Sequence, residues 1–303
     1  EKSGKSRFYC HNCNASMSLP KLIKTLDEGL YREYKLESMR DGAPGFNPPK
    51  IVHPVSFDFR PVFERSDPLK SLTRVSALHH NDPIKKYVMD RKIPPEYHYK
   101  LFVTDAFCAY VNTLIPGKFS DGALAHDEPR LVIPFINRES KVHALQGRSM
   151  SAGSKSKYIT IVLDESVPKI YGLDELRAGK TYVLEGPIDS MFLENGLATA
   201  GGDLASVMRD FDKDKLVIVY DNERRSRETV AKMEKAVRAG YRVCFWPENI
   251  LYKDINDMVK SGMRPEYIEM VVDQNSHSGL IAEMELKVWK RVADSRTKKY
   301  STP

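Results

Sequence analysis

Six acidic residues fall in three short stretches of this chain, and their types and spacing suit them to chemistry. LEGPIDS carries Glu185 and Asp189, VYDNE carries Asp221 and Glu223, and YKDINDM carries Asp254 and Asp257. Carboxylates gathered in a low-dielectric cleft repel one another strongly, so such a set is tolerated mainly when a cation compensates it. Oxygen-only donors select a hard ion, Mg²⁺ or Mn²⁺. The matching chemistry is phosphoryl or nucleotidyl transfer, where bound metal offsets phosphate charge and activates an oxygen nucleophile. Helix dipoles also attract acids to helix N-termini, which explains any one pair without a ligand. Three clusters at matching strand ends weigh against that explanation. A second candidate is RFYCHNCN, where Cys10 and Cys13 have metal-ligand spacing but supply half of a four-ligand zinc site.

The elements that must position the acids follow from the rhythm after Lys180. TYVLE, a helix from Ile188 to Asn195, LATA, a helix near Leu204 to Arg209, KLVIVY, a helix from Arg224 to Ala239 and YRVCFW alternate. Such alternation predicts a parallel α/β sheet, whose carboxyl edge is where ligands bind and where all three acid clusters fall. In the third helix Val230, Met233 and Val237 form one face, while Lys232, Glu234, Lys235 and Arg238 face water. Upstream, RLVIPFI, KVHALQGR and KYITIVL read as strands, and from Arg130 to Lys180 nine Lys/Arg stand against five Asp/Glu. A helix is capped by Asn81 or Asp82 with Pro83 at its first position, and Pro94-Pro95 stops it. LPKLIKTLDEGLYREYKLES reads as one amphipathic helix through Leu22, Ile23, Leu26 and Leu30. Six prolines between residues 41 and 70 predict a linker.

Composition bounds the rest. At 303 residues the chain suits about two domains, and no apolar run approaches the roughly 20 residues of a membrane helix. The reading is a soluble protein without a membrane partner. No secretion signal is visible, and four cysteines at 10, 13, 108 and 244 make a poor disulfide framework, which fits a reducing cytoplasm. The net charge of +6 hints only weakly at an anionic partner, and the tail from Lys287 to Lys299, six basic against one acidic, reads as a solvated end. SGKS, at residues 3 to 6, lacks the upstream strand and upstream glycine of a phosphate loop. Cys108, Cys244, Trp246 and Trp289 read as core residues, and His79-His80 as a helix start.

Glu185 after an apolar strand, Asp221-Asn222-Glu223 after LVIVY, and KDIND together resemble the Toprim signature of bacterial-type primases, topoisomerases and some nucleases. EPRLVIPFI, LQGRSM, KYITI, KIYG and YVLEGPIDS, in this order, resemble the DnaG-type primase core, and GLYREY, DPIKKYV, GGDL and FW bring it near the primases of T-even-like bacteriophages. The resemblance implies an α/β chain: a mixed α+β polymerase subdomain, then a Toprim domain with a Rossmann-like parallel sheet, after a partial zinc ribbon. Its expected parts are 1–40 (half of the zinc-ribbon domain plus a helix), 41–70 (linker), 71–178 (N-terminal subdomain of the polymerase core), 179–262 (Toprim) and 263–303 (helical segment).

It further implies a DNA primase that makes short RNA primers on single-stranded DNA from ribonucleoside triphosphates. Glu185 is implied as the principal acid and Asp221 and Glu223 as metal ligands, supported by Asp254, Asp189 and Asp257. Arg130, Arg148, Lys157 and, more weakly, Lys169 are implied to hold triphosphate and template. The wider Toprim pattern has Asp-x-Asp where this chain has Asp-Asn-Glu, and the longer Glu223 can still reach a cation. Implied cofactors are Mg²⁺ or Mn²⁺, with Zn²⁺ in the full-length protein. Cys10 and Cys13 match the second ligand pair of the family's ribbon, so its first pair is expected before Glu1 and no complete zinc site in this chain. The implied partner is a replicative helicase, and the implied place the host bacterial cytoplasm. Two alternatives stay open: a Toprim-type metal-dependent nuclease, and a non-catalytic zinc-ribbon DNA-binding protein.

Overall fold

The structure, a computed structural model, describes residues 7–9, 16–41, 67–151, 153–154, 156–201, 204, 208 and 211–292. The chain divides into two compact units, Glu1–Val62 and Phe63–Pro303, a boundary inside the proline-rich stretch.

In the first unit, β1 (Arg7–Tyr9) pairs antiparallel with β2 (Ser16–Ser18), Phe8 opposite Met17. Cys10 and Cys13 lie outside the described residues. The stretch expected as one amphipathic helix is two, Leu19–Leu26 and Glu28–Asp41. Asp27 causes the break: its backbone is extended, and its Oδ1 accepts from the N–H groups of Gly29 (2.7 Å) and Leu30 (3.1 Å). Those N–H groups open the second helix, so a carboxylate there starts a new helix.

The second unit is built on two sheets. An antiparallel sheet has the order β3 (Thr73–Arg74), β4 (Phe102–Thr104), β5 (Arg130–Ile136), β6 (Val142–Ser149), β7 (Tyr158–Val162). The other sheet contains β8 (Thr181–Leu184), β9 (Gly196–Ala198), β10 (Leu216–Val219), β11 (Arg242–Cys244) and β12 (Ser276–His277). Its order is β12-β11-β10-β8-β9, parallel except for β12, which joins the β11 edge antiparallel. Alternation along the strands sorts the side chains into layers. Leu131, Ile133 and Phe135 share a core with Tyr182, Leu184, Val217 and Val219, so the two sheets meet through one apolar layer. Val132 and Leu145 face the Phe107–Leu114 helix instead. Leu216 and Ile218 face the Arg227–Arg238 and Gly279–Trp289 helices.

The Pro83–Asp90 helix starts as its sequence implies, Asp82 Oδ1 accepting from Ile84 and Lys85 N–H with Pro83 in the first turn. The helix after β8 is shorter than expected, Pro187–Ser190, and most of 202–210 lies outside the described residues. Beyond residue 262 the Pro265–Gln274 helix, β12 and the Gly279–Trp289 helix pack on the same cores, completing the parallel-sheet layer. Cys108 and Cys244 are buried thiols, and burial pushes the Cys108 thiol up to about 11. Among the described residues no helix is long and apolar enough to cross a membrane.

Candidate active site

Two of the acid clusters begin where a strand of the parallel sheet stops, and the third opens a helix ten residues after β11 ends. β8 ends at Leu184, so Glu185 emerges at the carboxyl edge and the Pro187–Ser190 helix returns Asp189 beneath it. A Cβ at Gly186 would lie 3.0 Å from Asp189 Oδ2, so glycine leaves that carboxylate its room. β10 ends at Val219, and Trp246 Nε1 donates to the Tyr220 carbonyl (2.8 Å) just before Asp221. Asn222 ties the turn to the next loop: its N–H donates to the Lys253 carbonyl (2.7 Å) and its Nδ2 to Ile250 (2.8 Å) and Tyr252 (3.2 Å) carbonyls. That fixes the loop bearing Asp254, which caps the Ile255–Lys260 helix by accepting from Asp257 N–H (2.7 Å).

Glu185, Asp189, Asp221 and Asp254 border one small cavity at this edge, with Leu184, Tyr220 and Trp246 as its apolar walls. Its volume, ≈ 10 Å³, matches a single water or ion. Glu223 and Asp257 stand off it. Glu223 accepts instead from Thr229 Oγ1 (3.3 Å) and pairs with Lys253 (3.0 Å). Burial first, then the Asp254 charge, pushes Asp189 up to about 7, although the Asn256 N–H at 2.9 Å opposes this. Burial, then Glu185, then Asp254 push Asp221 up to about 7 as well.

Two lysines partly offset this charge. Lys232 lies 3.4 Å from Glu185 and 2.9 Å from Glu228, and Lys253 lies 3.7 Å from Asp221. With the carboxylates drawn toward these ammonium groups, no three His, Cys, Asp or Glu among the described residues close into a ready ligand set. The donor chemistry nonetheless fits a hard divalent ion: four carboxylates border an ion-sized space, two of them pushed up to about 7 by burial and by their neighbours' charge.

Across from the acids, the antiparallel sheet presents cations. Arg148, 5% exposed, lies between the rings of Tyr87 and Tyr158, 4.8 Å from each centre, and donates to the Tyr158 hydroxyl. Its Nε is buried without a partner. Lys157 is exposed, and chiefly the Arg148 charge, then burial, Arg91 and Lys253, hold its ammonium below the usual range while Asp254 opposes them. The structure therefore brings Arg148 and Lys157 toward the acid cleft.

Arg130 is on the other face of the sheet. It is 3% exposed, over the Phe107 ring, paired with Glu128 and donating to the Gly147 carbonyl (3.1 Å). Lys169 is half-buried in the connection before β8, and no ion pair or hydrogen bond joins it to the cluster among the described residues.

Sequence reasoning missed Tyr87, Arg91, Asn222, Lys232, Lys253 and Asn256. Asn256 did leave a signal, as an amide amid Ile255, Met258 and Val259 on the buried side of a short helix. The others look like ordinary surface residues until the register and loop contacts are known. Trp246 and Trp289 are packed as expected, but they are also hydrogen-bonded: Trp289 Nε1 donates to the Trp246 carbonyl (3.1 Å), linking the last helix to the β10 end.

Over 292 residues the chain is 37% identical to the DNA primase of Enterobacteria phage T4, a match covering 96% of this chain and 83% of that one. Its fold is similar to the zinc-binding and RNA polymerase domains of Aquifex aeolicus primase, with TM-score 0.50 and 19% identity over 99% of this chain and 86% of that one. It is also similar to a DNA primase domain from Pseudomonas aeruginosa, with TM-score 0.51 and 16% identity over 68% of this chain and 76% of that one. At such identities these two likenesses are of fold alone. No family model matches the chain.

Proposed function

The chain belongs to the DNA primase family, and from that premise we propose that the acid cleft and the cations facing it are the two halves of one primer-synthesis site. The reaction joins ribonucleotides on a single-stranded DNA template. A ribose 3′-oxygen attacks the α-phosphorus of a ribonucleoside triphosphate, a new phosphodiester forms, and pyrophosphate leaves.

Glu185, Asp189, Asp221 and Asp254 would hold Mg²⁺ or Mn²⁺, which when bound neutralises phosphate charge and acidifies the attacking hydroxyl. Glu223 and Asp257 serve as outlying support. Glu185 Oε2, at the mouth of the cleft on Lys232, receives the proton of the 3′-hydroxyl. Arg148 and Lys157 bind the triphosphate oxygens. The two tyrosine rings keep the Arg148 guanidinium from swinging away, so its donors stay aimed without loss of side-chain entropy on binding. Arg130, inside its own ion pair, holds β5 and β6 in place behind them, and Lys169 is left with at most template backbone.

On this reading residues 71–178 are the polymerase subdomain and 179–262 a Toprim domain, with 263–303 continuing its cover. Cys10 and Cys13 are thiol donors suited to Zn²⁺. A replicative helicase, working in the host bacterial cytoplasm, supplies the opened template.

What carries the reading is the meeting of four carboxylates round an ion-sized cavity with cations from a second sheet, in a chain of this family. Ribonucleotide incorporation on single-stranded templates tests it. Glu185→Gln is expected to lower incorporation about 10³-fold with the fold intact. Undiminished incorporation contradicts the assignment, and cleavage of the template without synthesis points to a nuclease.

A further inference from the structure

The two sheets are held together mainly by an apolar layer, and apolar contact is non-directional. Among the described residues, polar contacts cross between them at the Ile255–Lys260 helix. Asn256, 0% exposed, lies on the Ile255–Lys260 helix that Asp254 caps. Its side chain is spent entirely on one residue 165 positions away: Oδ1 accepts from Arg91 Nη1 (2.5 Å), and Nδ2 donates to the Arg91 carbonyl (2.6 Å). Its backbone N–H donates to Asp189 Oδ1 (2.9 Å).

Arg91 ends the Pro83–Asp90 helix of the antiparallel layer, and its guanidinium lies 5.0 Å from the centre of the Tyr87 ring. Tyr87 in turn touches Arg148. Next to it Lys92, held at φ +55°, donates from Nζ to the Val259 carbonyl (3.2 Å) of the same far helix. An unbroken run of contacts, Arg148 to Tyr87 to Arg91 to Asn256 to Asp189, thus joins the phosphate-binding cation to the acid cleft.

We propose that Arg91 and Asn256 are positioning residues that set the separation between the cations and the carboxylates, an inference that rests on the primer-synthesis reading. In-line attack needs the reacting atoms about 3–3.5 Å apart, and an error of about 1 Å costs on the order of 10²-fold in rate. An apolar layer gives the two sheets no directional bond that fixes their separation. A two-point amide–arginine bond fixes it, because both bonds fail together when either layer slides.

The test uses the whole chain as wild type, Arg91→Met, Asn256→Ala and the double variant, read by primer-synthesis kinetics and amide hydrogen exchange. Each single change is expected to lower kcat about 10²-fold while the triphosphate KM stays within about threefold. The double variant is expected to be no slower than the slower single one, since both break one joint. Exchange is expected to quicken at 88–93 and 254–260 and to stay unchanged in β5 and β6.

Four results overturn the proposal: unchanged kcat, a loss confined to KM, single effects that multiply in the double variant, or a loss that follows the melting temperature and disappears when the assay is run about 10 °C cooler. If the wild-type chain incorporates no ribonucleotide, the primer-synthesis reading fails by itself. Exchange then decides on the joint, and unaltered exchange at 254–260 overturns it.

Discussion

The antiparallel and parallel sheets both turn charge toward one cleft, and they hold that charge in opposite ways. On the antiparallel sheet Arg148 is clasped by two tyrosine rings, and Arg130 on the far face is neutralised by Glu128. That layer holds its charge on rings and an ion pair, with the Nε of both arginines left unpartnered. At the edge of the parallel sheet, Asp189 and Asp221 are pushed up to about 7 by burial and by other carboxylates, with Lys232 and Lys253 as partial remedies. That layer lacks positive charge. On the proposed reading, the cation half would spend little on rearrangement when a ligand binds, while the acid half would gain stability from a divalent ion.

Beyond Glu185 and the Arg91–Asn256 joint, the largest effect is expected at the ring-clasped cation. Arg148→Met would remove the charge-assisted bonds to phosphate proposed above, so kcat/KM for primer synthesis should fall about 10–100-fold, mostly through the triphosphate KM. A fall confined to kcat would break the division of labour between the sheets.

Next comes the stability of the acid edge. A carboxylate held near 7 in the folded chain and near 4 in the unfolded one favours folding while protonated, a contribution complete below about pH 4 and lost as pH rises through about 7. The melting temperature of the metal-free protein should therefore fall between about pH 5 and pH 7 and level off by about pH 8. Added Mg²⁺ should restore it at the upper end. Asp221→Asn should blunt the fall and raise the melting temperature at about pH 8 by roughly 2–4 °C. Calorimetric melts showing no pH dependence, or an Asp221→Asn variant less stable than wild type at the upper pH, would remove the contrast between the two layers.

The smallest effect on activity should belong to Arg130. Arg130→Met strands Glu128 in a partly buried place and lowers the melting temperature, but activity per folded molecule should stay within about twofold. A large rise in triphosphate KM would return Arg130 to the phosphate-binding set.

Much of this contrast was legible in local pattern. RLVIPFI and LVIVY show their strands, and acids just after strand ends must fall on the carboxyl edge once the sheet is parallel. What was not legible depends on register. Leu131, not Arg130, lies opposite Arg148 in the β5–β6 pairing, and that one-residue offset sends the two arginines to opposite faces. Composition cannot show it. Nor can it show the break at Asp27, where one side chain competes with the helix backbone. β12, two residues long, carries no strand pattern and exists because the β11 edge is there to receive it. Arg91 and Asn256 are further still from local pattern, being partners across 165 positions.

Calorimetric titration of Mn²⁺ into the metal-free protein at about pH 8 shows whether the carboxyl edge takes up a divalent ion. Saturable binding by the wild-type chain is expected, lost when Asp221→Asn and Asp254→Asn are combined. Saturable binding of equal affinity in that double variant, or none in the wild type, would contradict a divalent-ion site at that edge.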